Sequence, residues 1–125
     1  ITTKFTDNGG SIPGNLITAG NNDSNGRYME RCKLAGMKPH PARFPIQLPQ
    51  FFLNFLTEPG DLVVDPFAGS NTTGEACEVA GRRWLACELE KSYLDGSKLR
   101  FIPDGEPTME DKADGTARQG RLFAV

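Results

Sequence analysis

Apolar residues between positions 24 and 101 come in short blocks, each closed by proline, glycine or acidic residues. In "NGRYMERCKLA", Tyr28, Cys32 and Ala35 recur at i, i+4 and i+7, one face of a helix. Ser24 is the expected cap and Gly36 the expected stop. "MKPHPARFPIQLPQFFLNFLTEPGD" follows. Pro39, Pro41 and Pro45 hold its first half out of helix, because proline fixes its own φ and restricts the residue before it. Pro49 suits a first helical turn, so "QFFLNFLT" predicts a short apolar helix ended by Pro59 and Gly60. Its stripe of Phe51, Phe52 and Phe55 is expected in the core. "DLVVD" predicts a short buried strand, "TTGEACEVA" a helix to Gly81, "RRWLACELE" a second strand, and "KSYLDGSKLRF" a helix weakened by Gly96. Trp84 and Tyr93 are expected as packing residues.

The order is β-α-β-α, which calls for a parallel sheet with right-handed crossovers. Two or three strands do not complete a doubly wound sheet, so the sheet is expected to be part of a larger one. Residues 1–23 are rich in Gly, Asn, Asp and Thr and predict loop or extended chain. Residues 102–125 predict a flexible tail, whose last piece, "RLFAV", either pairs as a strand or hangs loose.

The chain has 125 residues, 38% of them hydrophobic, which suits one domain with a modest core. A net charge of -2 gives no overall basic field for nucleic acid, although a basic face can coexist with an acidic remainder. No apolar run approaches the roughly 18 residues that cross a bilayer, so no membrane partner is expected. No signal peptide is visible; the start at Ile1 suggests trimming, processing or a fragment. Cys32, Cys77 and Cys87 are odd in number and lack a CxxC pair, which predicts reduced, buried thiols in a cytoplasmic protein. His40 is the only histidine, and no metal site is expected.

Three stretches can carry chemistry. "DPFAGSNTTGE", from Asp65 to Glu75, lies where a strand meets a helix, and there backbone amides face outward together. Gly69 permits close approach of a ligand. Asn71 stands where a dinucleotide loop would carry another glycine, and it tolerates a left-handed turn. Thr72 and Thr73 bring hydroxyls to the helix start. Glu88 lies about twenty residues further on, where nucleotide folds set an acid against ribose hydroxyls; Glu90 has the same phase along a strand and competes with it. In "HPARFP", His40 is either a structural residue of a proline-fixed turn or a base without a legible partner. Arg43 either meets an anion or is solvated, and Phe44 either walls an adenine pocket or packs inside.

In this order, "HPARFP", "DPFAGSNTTG" and "RRWLACELEKSYL" resemble the carboxyl-terminal part of the DNA amino-methyltransferases, over roughly residues 9 to 101. The cofactor motifs come late, as in the circularly permuted β class. "GGSIPGNLI", "NNDSNGRY" and "GSNTTG" look like its cytosine-N4-specific branch. The resemblance implies an α/β, Rossmann-like S-adenosylmethionine-dependent methyltransferase fold, present as an incomplete parallel sheet with flanking helices. It makes residues 1–23 the end of a target-recognition region or a linker, 24–101 the cofactor-binding part, and 102–125 the tail. Asp65 would order the loop. Phe67, Ala68, Gly69, Ser70 and Asn71 would wrap S-adenosylmethionine, and Thr72 and Thr73 would meet its carboxylate. Glu88 would hold the ribose, and His40, Pro41, Arg43 and Phe44 would form the opposite wall.

The family's catalytic signature, Ser/Asn/Asp-Pro-Pro-Tyr/Phe, has no counterpart, since no Pro-Pro pair occurs in this sequence. No catalytic residue is therefore assigned. The chain alone is expected to be inactive and to bind cofactor weakly or not at all. Double-stranded DNA is expected as a partner only through a complete enzyme. A separate catalytic half would make this a split methyltransferase, and the bare faces of a half-sheet also suit a homodimer. The alternatives are a non-catalytic cofactor-binding or regulatory module and, lacking G-x-G-x-x-G, a dinucleotide oxidoreductase fragment. The location implied is the cytoplasm of a bacterium or archaeon, or of a phage host.

Overall fold

A computed structural model describes residues 16–20, 26–103 and 120–124. Its elements are α1 (Gly26–Leu34), α2 (Gln47–Leu56), β1 (Leu62–Asp65), α3 (Thr72–Ala80), β2 (Arg83–Glu88), α4 (Lys91–Ser97), a 3-10 turn (Lys98–Phe101) and β3 (Gly120–Ala124). Ser24, the expected cap of α1, lies outside the described residues.

The three strands form one parallel sheet in the order β1-β2-β3. Val63 lies opposite Trp84, and Ala86 opposite Leu122. β3 is the strand alternative for the end of the tail: "RLFA" pairs along the second edge of β2, where unpaired backbone groups find partners.

β1 was expected to be buried, and it is only half so. Val63 turns into the core, whereas Leu62 and Val64 are 55% and 54% exposed. Among the described residues β1 is an edge strand paired with β2 alone, and alternation sends every second side chain away from the core. The phenylalanine stripe of α2 is a second correction. Leu53 and Pro49 are buried, whereas Phe52, Phe55 and Leu56 are 48%, 57% and 67% exposed. α2 packs on α3, and its apolar residues that turn away from that contact stay bare. Between α2 and β1 lies an apolar groove of about 350 Å³, with Phe52, Leu56 and Val64 in its lining.

The main core joins Leu53, Ala68, Ala76, Cys77, Trp84 and Ala86. Trp84 stacks on Phe101 at 5.0 Å and donates its indole N–H to Glu78 at 2.8 Å. A second cluster, Tyr28, Cys32 and Leu99, fastens α1 to the 3-10 turn. Arg82, also buried, gives its guanidinium to the Thr57 hydroxyl, the Thr57 carbonyl and the Ala80 carbonyl, which closes the end of the fold away from the loop.

All three thiols are free. Burial pushes Cys77 up to about 11. A thiol raised in this way favours the folded state below its ordinary value near 9, and that contribution disappears as pH rises through about 11. At pH 8, iodoacetamide is therefore expected to modify the half-buried Cys87 before Cys77, read by peptide mass mapping of the native chain. Faster labelling of Cys77 would contradict the burial.

Candidate functional site

The loop after β1 is closed by Asp65. One carboxylate oxygen accepts the Phe67 N–H at 3.0 Å, and the other accepts the Thr73 hydroxyl at 2.7 Å. Gly69 and Asn71 both take the left-handed conformation, with φ of 53° and 57°. Asn71 also caps α3: its Oδ1 accepts the Gly74 N–H at 3.0 Å. A side chain at Gly74 would stand 2.5 Å from that oxygen, so the amide of Asn71 and the bare Gly74 require each other.

This turn carries Ser70, Asn71 and Thr72 inward. They are 4%, 0% and 1% exposed, and the Ser70 and Thr72 hydroxyls lie 3.3 Å apart. Of the two threonines expected at the cofactor carboxylate, Thr73 gives its hydroxyl hydrogen to Asp65, and Thr72 is interior. Ala68 is buried, whereas Phe67 is 88% exposed and projects from the loop. Replacing Asn71 by alanine loses the cap and puts a strained residue in the left-handed turn, an expected cost of about 2 kcal/mol in urea melts. Glycine at the same position is expected to cost under about 1 kcal/mol. With its side chain fully buried, Asn71→Gly should leave ligand affinity intact; a large loss would show a direct contact.

Glu88, at the end of β2, reaches the loop. Its Oε2 accepts the Gly69 N–H at 2.8 Å, and its Oε1 accepts the Glu90 N–H at 2.9 Å. A carboxylate has about four acceptor positions, so about two remain for other donors. Glu90 is engaged elsewhere. It caps α4 through the Ser92 hydroxyl and N–H, which hold its carboxyl below the usual range. The equal phase assumed for the two acids does not apply, because β2 ends at Glu88.

The "HPARFP" segment packs on the same loop. Atoms of the His40 ring come within 3.1–3.3 Å of the position a Gly69 Cβ would occupy. Tyr93 meets the ring edge-on, with centroids 4.5 Å apart. His40 Nδ1 lies 2.6 Å from the Ala42 carbonyl; a carbonyl only accepts, so Nδ1 carries the hydrogen. The His40 backbone is held at both ends, by the Tyr28 hydroxyl at 3.2 Å and by Arg43, which donates to its carbonyl. This arrangement suits a positioned wall rather than a base. Arg43 is half-buried and gives one guanidinium nitrogen to that carbonyl, while its buried Nε has no hydrogen-bond partner among the described residues; Pro41 is exposed, and Phe44 is 37% exposed and borders the groove.

Sequence reasoning missed Arg100. It is buried, and it donates to the Ser70 carbonyl, to the Ser70 hydroxyl at 2.9 Å and to Glu75 at 2.6 Å. Burial pulls its pKa down, and the Glu75 carboxylate opposes that pull. Its partner Ser70 lies thirty residues away, and the only local signal was an arginine between Leu99 and Phe101.

A parallel strand, a glycine turn and a helix, with an acid from the next strand against the turn, make up the βαβ arrangement of the Rossmann-like α/β class. Residues 12–99 match the DNA methylase family of N6 and N4 methyltransferases, and the chain belongs to that family. It is 55% identical over 96 residues to the type II methyltransferase M.PvuII of Proteus hauseri, covering 77% of this chain and 29% of that protein. It is 36% identical over 67 residues to M2.DpnII of Streptococcus pneumoniae, covering 54% of this chain and 25% of that protein. A solved structure of the cytosine-N4-specific PvuII DNA methyltransferase superposes with a TM-score of 0.71 at 50% identity, over 77% of this chain and 34% of that one. The chain thus spans less than a third of the curated relatives it matches. The expected fold class holds: this is part of an α/β methyltransferase fold. These relatives are bacterial, and no helix among the described residues is long and apolar enough to cross a membrane.

Proposed function

We propose that this chain supplies the S-adenosylmethionine-binding part of a DNA amino-methyltransferase of the cytosine-N4 branch. The observation that carries the proposal is the position of Glu88 on the loop. A dinucleotide loop offers free amides to a pyrophosphate. Here the Gly69 and Gly74 N–H groups are already given to Glu88 and Asn71, and the charge beside the loop is negative. That chemistry repels phosphate and suits ribose hydroxyls and a cationic sulfonium. The donor set fits the cofactor in kind: Glu88 would hold the ribose, Gly69 and Phe67 would lie along it, and His40 and Phe44 would form the facing wall.

When bound, the cofactor supplies an electrophilic methyl group. In the complete enzyme that methyl would pass from sulfur to an exocyclic amino nitrogen, which loses a proton. The residues of this chain would bind and orient; the groups that align the flipped base belong to the Pro-Pro-Tyr type of motif, which this sequence lacks. Calorimetric titration of S-adenosylhomocysteine and NAD into the chain, alone and joined to a catalytic segment, tests the assignment. Weak binding alone, strengthened on joining, with S-adenosylhomocysteine preferred, is expected. NAD preference would overturn it.

The open edge of β1 and the bare faces of Val64, Phe52, Phe55 and Leu56 favour a further element, a methyltransferase segment seated on this side. Such a segment could reach double-stranded DNA and restore methylation. Val64→Lys with Phe55→Glu is expected to raise the solubility of the chain alone and to abolish rescue of DNA methylation on co-expression with a catalytic segment. Unimpaired rescue would assign the face elsewhere, including to a second copy of this chain.

A further inference from the structure

The loop and the His40 segment are held by one buried residue. Arg100 grips Ser70 twice, through its carbonyl and its hydroxyl, and pairs with Glu75 on the first turn of α3. On its other side the guanidinium lies 4.4 Å from the centre of the Tyr28 ring. The Tyr28 hydroxyl accepts the His40 N–H, and His40 in turn rests on Gly69. The contacts therefore close a ring: Arg100, Ser70, Gly69, His40, Tyr28 and back to Arg100. α4 passes the same hydroxyl at Gly96, where a side-chain carbon would stand 3.6 Å from it.

The charge state and geometry of this ring differ from those of a packing contact. The Arg100 side chain is 1% exposed, and its planar fork sets the direction of each bond it donates. An apolar side chain there would pack without fixing where Ser70 sits relative to Tyr28. A displacement of Ser70 is passed to Gly69, whose N–H is the one Glu88 holds.

We propose that Arg100 is a positioning residue that sets the separation of the Gly69 loop from the His40 wall, acting directly on Ser70 and through Tyr28 on His40. The consequence for ligand affinity rests on the cofactor-binding assignment above; the coupling itself is a property of the ligand-free chain. The two are therefore separable by experiment.

Tyr28→Phe is the mild variant, because it keeps the ring under the guanidinium and removes only the hydroxyl. Arg100→Lys keeps the charge and removes the fork. Amide spectra by nuclear magnetic resonance and thermal melts are recorded on the ligand-free 125-residue chain, and titration with S-adenosylhomocysteine on the chain joined to a catalytic segment. In Arg100→Lys, the amides of Ser70, Gly69 and His40 should all shift. In Tyr28→Phe, the His40 amide should exchange with solvent at least about tenfold faster while the melting temperature stays near the parent value. Both variants should weaken S-adenosylhomocysteine about fivefold to tenfold, the scale of one hydrogen bond. A folded Arg100→Lys chain with an unmoved His40 amide overturns the coupling. If Tyr28→Phe leaves His40 exchange unchanged, the link through Tyr28 is wrong whether or not Arg100→Lys folds. If the parent chain joined to a catalytic segment shows no preference for S-adenosylhomocysteine while the amide shifts appear, the ligand assignment fails and the coupling stands.

Discussion

Trp84→Ala is expected to remove the cooperative unfolding transition of the chain near room temperature. The side chain is 5% exposed, lies on Phe101 with only 18° between the ring planes, and anchors the cluster that joins β2 to α2 and α3. Emptying such a site costs about 3–5 kcal/mol. A further ~1 kcal/mol comes from leaving the Glu78 carboxylate without its indole donor. Single domains have about 5–15 kcal/mol in total, and one with bare sheet and helix faces lies toward the lower end. Far-ultraviolet circular dichroism against temperature is the suitable readout, because Trp84 is the only tryptophan and its fluorescence is lost with it. Trp84→Phe keeps the stacking partner and should retain a transition. A melting midpoint for Trp84→Ala within a few degrees of the parent would show that this cluster does not hold the fold.

The parts of the fold legible in the sequence were those set by local physics. Prolines 39 to 45 kept the chain out of helix, Gly81 ended α3, and the short apolar runs became β1 and β2. The turn at Asn71 was also local, since few residues other than glycine accept its φ. What was not legible depended on neighbours. Phe52, Phe55 and Val64 have core chemistry, and they are exposed because nothing among the described residues covers them. Glu88 and Glu90 were indistinguishable by phase, and they separated once β2 ended and Ser92 engaged Glu90. The ring through Arg100 joins Ser70, Tyr28 and His40 across long stretches of sequence, and no periodicity encodes it. Sequence reading placed the loop residues in one site, but the burial of Ser70 and Thr72 was not legible, because it follows from how the Asn71 turn seats them.

Glu88 is where fold and proposed ligand meet, so its replacement is the sharpest functional test. Glu88→Ala, in the chain joined to a catalytic segment, is expected to weaken S-adenosylhomocysteine about 10- to 150-fold, equivalent to 1.5–3 kcal/mol for lost charge-assisted hydrogen bonds. Two effects run in the same direction. The ligand hydroxyls lose their acceptor, and the Gly69 N–H, released from Glu88, no longer fixes the loop. Glu88→Gln separates them. Its carbonyl still accepts the Gly69 N–H, whereas its amide presents a donor where two acceptors are needed, so the loop should keep its order while affinity falls. Amide exchange at Gly69 reads the first effect and calorimetry the second. Glu90→Ala serves as the control: its carboxyl serves the α4 cap, and affinity should stay within about twofold of the parent, as for a solvated charge. A large loss in Glu90→Ala with none in Glu88→Ala would assign the ribose to the other acid. Equal, small effects in both would remove the nucleoside from this side of the loop altogether, leaving Glu88 as a brace between β2 and the turn.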